Sequence, residues 1–411
     1  MRISTVFRKL LGVTGLLVSS VGLEEDGLII DVQPRWRKPR CGECGRTRPA
    51  YDQSPVRRWR HLALGRVVLW LRYAPRRVEC VTCGVRVEHV PWAALGSRFT
   101  FEFEEMVGYL AQRMDRTAVC KQLGINWRTV GGIVERIVAE RLDPSRFDDL
   151  TVIGIDELSF RRNHNYVTVV VDHLRKRVVW IGEGKSAETL QQFFNLLGPE
   201  RIRKLTHITV DMSAAFISAI DTHAPHVEKV FDRFHVQRLA SIAVDEVRRA
   251  EVREAATSGE AKALKNTRWT LLKRGWKLDQ REEAKLAEVQ ATNRRIYRAY
   301  LLKEMLGHIL DYRQRGRAER HIEEWISWAA RSKLKPFVKL AGTIKRFKIG
   351  ILAYVKTRFT NGLTEGLNNK TRLITRRAYG FHSSHALAAM IHLCCGGITL
   401  DPPLPKPTSS A

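Results

Sequence analysis

Two aspartates occupy positions where a carboxylate could take part in metal-dependent chemistry. Asp156 follows the apolar run 152–155, and Asp211 follows the apolar run 208–210. Both runs have the short, apolar character of buried strands. Each aspartate therefore presents a carboxylate where a strand leaves the core, and active sites of α/β domains are built at such strand ends.

A third acidic residue, Glu365, is the only Asp or Glu between positions 324 and 401, and 12 Lys or Arg accompany it within 333–377. A glutamate that begins a helix and is stabilised by the helix dipole is the ordinary alternative. Together with Asp156 and Asp211, however, it forms a candidate set of three oxygen ligands. Carboxylates that must approach a phosphate polyanion need a divalent metal between them.

Four cysteines form a second constellation, in two Cys-x-x-Cys pairs: Cys41 with Cys44 and Cys80 with Cys83. Two such pairs predict a tetrahedral zinc site in which each tight turn supplies two thiolates. Four protein ligands close the coordination sphere, so the metal would be structural. Four unrelated thiols in a small core are the alternative.

The charge balance points to a nucleic-acid partner. The chain has 411 residues, a net charge of +27 and a pI near 10.2. Segment 34–77 alone holds 13 Lys or Arg, two acids and five interleaved Trp or Tyr rings. Such a segment can bind phosphates with its cations and bases with its rings. A solvated basic face over a small aromatic core is an equal alternative for any single residue.

Composition also excludes several classes of protein. At 44% hydrophobic residues the chain can bury a core in each of two or three domains, which excludes disorder as the main state. No run of about 18 apolar residues predicts a membrane span. Cysteines at metal-ligand spacing favour a reducing compartment, so we expect a cytoplasmic protein. Association with the nucleoid is expected from the nucleic-acid partner that the charge indicates.

The elements that would position these residues can be read from periodicity. An Asp-Gly turn at 26–27 between two alternating runs predicts a hairpin over 18–32. Helical spacing over 99–142 predicts three short helices of a helix-turn-helix, with Asn126 capping the third and Arg128 and Thr129 beside it. Gly131 and Gly132 weaken that helix, and a purely structural helical linker is the alternative.

After residue 148 the pattern changes to a β-β-β-α-β order. The predicted strands are 151–155, 166–171, 177–181 and 207–210, with a helix over 186–197. This order indicates a mixed α/β domain. Residues 245–350 show helical spacing instead, and the Pro- and Ser-rich end predicts a loose tail.

The motifs resemble those of bacterial insertion-sequence transposases of the ISL3 family. The resemblance rests on Ile-Asp156-Glu, Val-Asp211-Met, Phe-Asp232-Arg-Phe-His235 and the segment Asn361-Gly-Leu-Thr-Glu365-Gly-Leu-Asn-Asn-Lys370. It implies a zinc ribbon, a helix-turn-helix and a ribonuclease-H-like catalytic domain with an Asp-Asp-Glu triad. The fold class expected is thus α/β, with a ribonuclease-H-like mixed sheet, a large α-helical insertion, and the small zinc-ribbon β domain and helix-turn-helix in front of it.

The resemblance also suggests a role for each motif residue. The triad is Asp156, Asp211 and Glu365, which would bind two Mg²⁺ ions, or Mn²⁺, while one structural Zn²⁺ binds the four cysteines. Asp232 and His235 would support the active site or bound DNA; an ordinary buried His–Asp pair is the alternative.

The expected domain boundaries are as follows: 1–97 hairpin and zinc ribbon, 98–148 helix-turn-helix, 149–244 first part of the catalytic domain, 245–350 helical insertion, 351–395 last part of the catalytic domain with Glu365, and 396–411 loose tail. The expected DNA contacts are Arg57, Arg58, Arg60, Asn126, Arg128, Thr129, Lys370, Arg372, Arg376 and Arg377.

The function expected from the resemblance is cleavage of insertion-element ends and their transfer to target DNA. The partners would be terminal inverted repeats, target DNA and at least a second copy of the chain, with no membrane. A DNA-binding regulator without catalysis and a metal-dependent nuclease without strand transfer are the alternatives.

Overall fold

The protein, described here from a computed structural model, forms two compact units. The structure describes residues 3–161, 165–258, 264–360, 362–378 and 380–402. One unit runs from the N-terminus to Leu142 and also takes in the chain from Ile398 onward, and the other spans Asp143–Gly397. No helix in the described ranges is both long enough and apolar enough to cross a membrane.

The first unit opens with a helix and two small sheets. Its elements are α1 (Ile3–Leu11), β1 (Leu16–Glu24), β2 (Gly27–Pro34), β3 (Ala50–Gln53), β4 (Arg57–Leu64), β5 (Val67–Tyr73), β6 (Arg76–Cys80) and β7 (Gly84–Val87). One sheet has the order β1-β2-β5-β4 and the other β3-β6-β7. The predicted hairpin is confirmed: β1 and β2 pair antiparallel from Glu24 opposite Gly27. Gly27 has φ +136°, and a Cβ there would lie 2.3 Å from the carbonyl oxygen of Val68, so the turn requires glycine.

The aromatic residues of the basic segment divide between core and surface. Trp59 is buried and packs edge-to-face on Trp92, which Tyr73 also contacts edge-to-face. Tyr51, in contrast, is 58% exposed beside Arg77. Trp59 and Tyr73 thus belong to a small aromatic core, as one alternative expected, whereas Tyr51 lies at the surface, where the other alternative places rings that could meet bases.

The predicted helix-turn-helix follows as α2 (Phe101–Ala111), α3 (Arg116–Leu123) and α4 (Trp127–Arg141). Gly124, with φ +59°, ends α3. The predicted cap of α4 is confirmed, since the Asn126 side chain accepts the Thr129 N–H at 2.8 Å. The helix continues through Gly131 and Gly132 because Val130, Ile133 and Val134 are buried on its other face.

The second unit is built on a mixed five-stranded sheet of order β10-β9-β8-β11-β12. Its strands are β8 (Val152–Arg161), β9 (Asn165–Asp172), β10 (Arg177–Glu183), β11 (His207–Val210) and β12 (Glu228–Phe231). The first three pair antiparallel, whereas β11 pairs parallel to β8 and β12 parallel to β11. The β-β-β-α-β order is confirmed, and β12 is an additional strand that the sequence did not predict.

Helices cover the faces of this sheet and form the predicted helical block. They are α5 (Ala187–Ile202), α6 (Ala214–His223), α7 (Arg233–Ser258), α8 (Arg268–Leu272), α9 (Gln280–Thr292), α10 (Arg294–Ile309), α11 (Arg315–Arg331), α12 (Lys335–Thr357), α13 (Gly362–Arg377) and α14 (Ser384–Cys395). Positions 244 and 350, the expected limits of the insertion, lie inside α7 and α12. Sheet residues such as Phe231 share one core with α12, whose Phe347 packs edge-to-face on that ring.

The segment expected to be a loose tail begins packed. Leu400 is 3% exposed and contacts the position of Gly108 on α2, and the Ile398 carbonyl accepts a hydrogen bond from Gln112 at 3.0 Å. The expectation is therefore wrong for residues 398–400, because an apolar Ile-Thr-Leu sequence precedes the prolines. Residues 403–411 lie outside the described part of the chain.

Candidate active site and metal centre

Three aspartates lie at equivalent positions of neighbouring parallel strands. Thr209 of β11 is opposite Gly154 of β8, so two residues further along the strands Asp211 comes beside Asp156. Val210 is opposite Phe231 of β12, so one residue further Asp232 comes beside Asp211. Adjacent strands are about 4.8 Å apart. The three carboxylates therefore share one edge of the sheet.

Asp156 lies in the middle of its strand rather than at its end, which corrects the sequence expectation. β8 continues to Arg161, and Asp156 still pairs with Val169 of β9. Pairing with β11, however, stops at Gly154. The Asp156 carboxylate therefore lies just beyond the point where β8 stops pairing with β11. The opening between the two strands exposes the carboxylate as the end of a strand would.

Burial and neighbouring charges set the protonation of Asp156. Its pKa is raised to about 6, chiefly by burial and to a smaller extent by the negative charge of Asp211, while the backbone hydrogen bond from Glu157 and the nearby His235 act in the opposite direction. The backbone N–H of Glu157 donates to Asp156 Oδ1 at 2.8 Å, and that of Ser213 donates to Asp211 Oδ1 at 3.1 Å. Two carboxylates crowded in this way favour a bound cation.

Asp232 and His235 are brought to the same edge by the start of α7. Asp232 is 3% exposed and accepts the Phe234 N–H at 3.3 Å, and its carbonyl accepts the His235 N–H at 3.1 Å. His235 Nδ1 is buried and has no hydrogen-bond partner among the described residues. Such an atom is normally satisfied by a ligand or water.

These residues line an open cavity of about 300 Å³. Sequence analysis did not identify five other residues that line it: Glu157, Ser159, Tyr166, Phe234 and Arg238. A signal for Arg238 was present, because it follows His235 by three positions and residues at that spacing share a helix face.

The third predicted triad member belongs to α13, which packs against β8 and contributes Arg372 to the cavity. Glu365 lies within this helix, but its side chain is outside the described part of the structure. Its assignment therefore stays a prediction.

The four predicted cysteines come together in the first unit. Their sulfur atoms all lie within 4.8 Å of one another, and Cys44 Sγ is 3.6 Å from Cys80 Sγ. A backbone hydrogen bond from Gly45 N–H to the Cys41 carbonyl at 2.9 Å tightens the first turn, and Cys80 pairs with Gly84 across the second. The pKa of the Cys80 thiol is lowered to about 6, chiefly by the nearby Arg48 guanidinium and then by the backbone N–H groups of Cys83 and Thr82. The cluster supports the predicted zinc ribbon, since thiolates in this closed arrangement form a structural zinc site.

Comparison with protein families finds a match in each of the two units. A family model described as a transposase matches residues 153–391, more than half of the chain. The chain belongs to the ISL3 family of transposases. A second model, described as the helix-turn-helix domain of transposase family ISL3, matches residues 88–138, which contain α2, α3 and most of α4.

Individual ISL3 relatives are similar over most of their length. The transposase for insertion sequence element IS1557 of Mycobacterium tuberculosis, in strains CDC 1551 / Oshkosh and ATCC 25618 / H37Rv, is 38% identical, covering 97% of this chain and 96% of the relative. The transposase for insertion sequence element IS1001 of Bordetella parapertussis is 28% identical, covering 86% of this chain and 88% of the relative.

The expected DNA contacts of this ISL3 chain in the first unit have different surroundings. Arg57 is exposed, whereas Arg58 forms ion pairs with Glu24 and Asp26. Arg60 donates to the Gly124 carbonyl at 2.9 Å and thereby links β4 to the turn between α3 and α4. The role of Arg60 as a DNA contact stays a proposal beside this link within the first unit.

At the start of α4, the residues expected to contact DNA also differ. Asn126 and Thr129 are hydrogen-bonded to each other in the cap, and the Thr129 hydroxyl donates to Asn126 Oδ1 at 2.9 Å. Arg128 is exposed and has no ion pair or hydrogen bond with a described residue. Arg128 is therefore the best-placed side chain of the three for a ligand.

Four expected contacts lie on α13. Lys370 donates to the Cys394 carbonyl at 2.7 Å and so stabilises the end of α14, which gives it a structural role. Arg372 donates to Asn369 at 3.2 Å and lines the cavity, and Arg376 and Arg377 are exposed. The last three present cations along one helix next to the candidate site.

Proposed function

We propose that the protein is a DNA transposase that cleaves the ends of an insertion element and joins them to target DNA. The observation that carries the proposal is the register that aligns Asp156 with Asp211 at the open edge of β8, in a chain of a transposase family. The names of its relatives agree with this activity.

The donor set fits the divalent cations that such a reaction uses. Asp156 and Asp211 offer hard oxygen ligands, and Glu365 would be the third; Mg²⁺ and Mn²⁺ prefer these ligands, whereas thiolates suit Zn²⁺. The buried His235 Nδ1, which has no hydrogen-bond partner among the described residues, is a further group that a ligand or water would satisfy. When bound, two Mg²⁺ ions would neutralise phosphate charge, activate the attacking oxygen and stabilise the leaving oxygen.

The position of Glu365 in α13 supports its place in the triad. Glu365 is seven positions before Arg372, and residues seven apart in a helix share a face. Arg372 lines the cavity. We propose that Glu365 completes the ligand set from that same face.

The other residues of the cavity position the substrate. Asp232 holds the first turn of α7 through its hydrogen bond to the Phe234 N–H, and that turn keeps His235 beside Asp156. Arg372 would bind a phosphate of the incoming strand, because guanidinium groups match phosphate geometry.

The reaction has two balanced steps. In the first, water attacks the phosphorus at the element end, the bond to the 3′ oxygen breaks, and a free 3′-hydroxyl remains on the element. In the second, that hydroxyl attacks a target phosphodiester and gives its proton to solvent, while the target's own 3′ oxygen is displaced, takes up a proton and leaves as a 3′-hydroxyl. No covalent enzyme intermediate forms.

The first unit would deliver DNA to this site. One structural Zn²⁺ would hold the two cysteine turns in place, and α4 would present Arg128 to a major groove of the terminal repeat. We propose at least a dimer on paired element ends, and a cytoplasmic, nucleoid-associated location that follows from the DNA substrate.

The test is incubation of the purified full chain with Mg²⁺, paired element-end DNA and a target plasmid. Cleaved and joined products support transposition. Cleavage without joined product would leave a nuclease, and binding without cleavage would leave a regulator; either outcome overturns the proposal.

A further inference from the structure

The first turns of α7 present a ring and a cation to the cavity, four positions apart. Phe234 is 52% exposed, and its ring meets His235 edge-to-face at 6.2 Å. Arg238 is exposed as well, and both residues line the cavity. Residues at this spacing lie next to each other on a helix surface, with Cβ atoms about 5–6 Å apart.

Packing does not explain the position of Phe234. Its neighbours Asp232 and Val236 are buried, so α7 already has its core contacts at this end. Single exposed apolar side chains are common on protein surfaces, but this ring lies at the cavity that holds the aspartates, where a ligand could cover it. DNA bases are flat apolar partners of the right kind.

The charge of Arg238 is also uncompensated within the described part of the chain. The cavity contains several carboxylates, yet Arg238 forms no ion pair or hydrogen bond with a described residue. Glu157, one of the acids at the cavity, pairs with Lys185 instead, at 3.6 Å. The guanidinium of Arg238 is therefore available to an anion that enters the cavity.

We infer that Phe234 and Arg238 form a nucleotide subsite next to the scissile phosphate. Arg238 binds the adjoining phosphate, and the Phe234 ring stacks on the base of that nucleotide. Bases inside a duplex have both faces covered, so the base must be unpaired or turned out of the stack. The inference rests on the proposed function and names its substrate class more closely: an opened DNA end.

The experiment measures binding and stacking without cleavage. The full chain in Ca²⁺ is titrated with two element-end duplexes, one fully paired and one mismatched at the base pair that adjoins the cleavage position. 2-Aminopurine at that nucleotide reports stacking by its fluorescence. The wild type is expected to bind the mismatched end more tightly and to quench its fluorescence.

Matched variants separate stacking from packing. Phe234→Ala should bind the mismatched end about 5- to 100-fold more weakly and the paired end almost as tightly as the wild type does. It should also no longer quench the 2-aminopurine fluorescence. Phe234→Trp should restore both, and Phe234→Leu, which keeps apolar volume without a π face, should not. Ile242→Ala, a change at an exposed apolar residue on the same helix outside the cavity, is the control.

Arg238 is tested by salt dependence. Arg238→Ala should weaken binding to both ends and reduce the slope of log K against log salt by about 1. An unchanged slope would remove Arg238 from the subsite.

Two results would overturn the stacking role: restoration by Phe234→Leu, or a Phe234→Ala variant that matches Ile242→Ala in affinity and quenching. Cleavage in Mg²⁺ is followed separately with the wild type. If the wild type cleaves DNA but does not quench the 2-aminopurine, only the subsite is refuted. If the wild type never cleaves, the proposed function is refuted.

Discussion

At the scale of single residues, the candidate centre depends on carboxylates that the fold holds at an unfavourable proximity. Asp156 is buried next to Asp211, and its pKa is raised to about 6 mainly by burial. A cation relieves this repulsion, and so does removal of one charge. Residues placed for chemistry in this way commonly reduce stability.

Replacement of one triad carboxylate should therefore remove chemistry and keep the fold. Asp156→Asn, Asp211→Asn and Glu365→Gln preserve shape, so we expect DNA binding to survive while Mg²⁺-dependent cleavage falls about 100-fold or more. Cleavage of labelled element ends and gel-shift assays measure both. Glu188→Gln, at an exposed acid on α5, is the control. Normal cleavage by Glu365→Gln would reduce that residue to a capping role.

Another single residue should make stability depend on pH. Burial, with the nearby charge of Arg146, lowers the pKa of His392 to about 4 from its usual 6.5. Between pH 6.5 and 4, His392 is therefore protonated in the unfolded chain but stays neutral in the folded chain. The stability is present above pH 6.5 and is lost as the pH falls toward 4.

Urea unfolding at pH 7 and pH 5 checks this. From pH 7 to pH 5 the unfolding free energy of the wild type should fall by about 2 kcal/mol more than that of His392→Phe, which lacks the titrating group. His385→Phe, at an exposed position on the same helix, should behave as the wild type does. Equal losses in all three proteins would show that His392 does not titrate as stated.

At the scale of elements, α4 tolerates its glycines without needing them. A Cβ at Gly132 would meet nothing nearer than the far end of Arg136, at 3.7 Å. Gly132→Ala should therefore raise the unfolding free energy by about 0.5–1 kcal/mol through helix propensity. Gly124→Ala should do the opposite, because its φ of +59° strains any L side chain. Thermal unfolding of the two variants measures the difference, and shifts of the same sign would contradict it.

The ribbon is an element whose stability depends on its metal. The joint change Cys80→Ser and Cys83→Ser should reduce bound zinc from about one ion per chain to none and lower the unfolding midpoint. Metal analysis of the purified full chain measures this. Cys120→Ser, outside the cluster, should retain the zinc. A wild type with no zinc in folded material would count against the site.

At the scale of the whole molecule, the net charge of +27 should dominate affinity for DNA. With six to ten phosphate contacts, binding should weaken about 10³- to 10⁵-fold between 50 and 200 mM salt, through counterion release. Fluorescence anisotropy on random and terminal-repeat duplexes gives the slope. A flat log–log plot would exclude phosphate contacts as the main source of affinity.

The amino-acid sequence by itself determined the features that depend on near neighbours. The Asp-Gly hairpin, the Asn126 cap and the two cysteine turns each rely on residues within a few positions, so the local pattern contains the whole interaction. The motif around Glu365 indicated the family because its residues are contiguous in the sequence. Such a motif can be recognised without knowing the fold.

Only the tertiary structure decided what depends on contacts between distant segments. The alignment of Asp156, Asp211 and Asp232 requires strand registers across 55 and 21 positions, which no local pattern encodes. The unpredicted strand β12 is only four residues long and is stabilised by its place in the sheet. The charges of Arg60 and Lys370 are visible in the sequence, whereas the carbonyl groups that they bind are brought near only by folding.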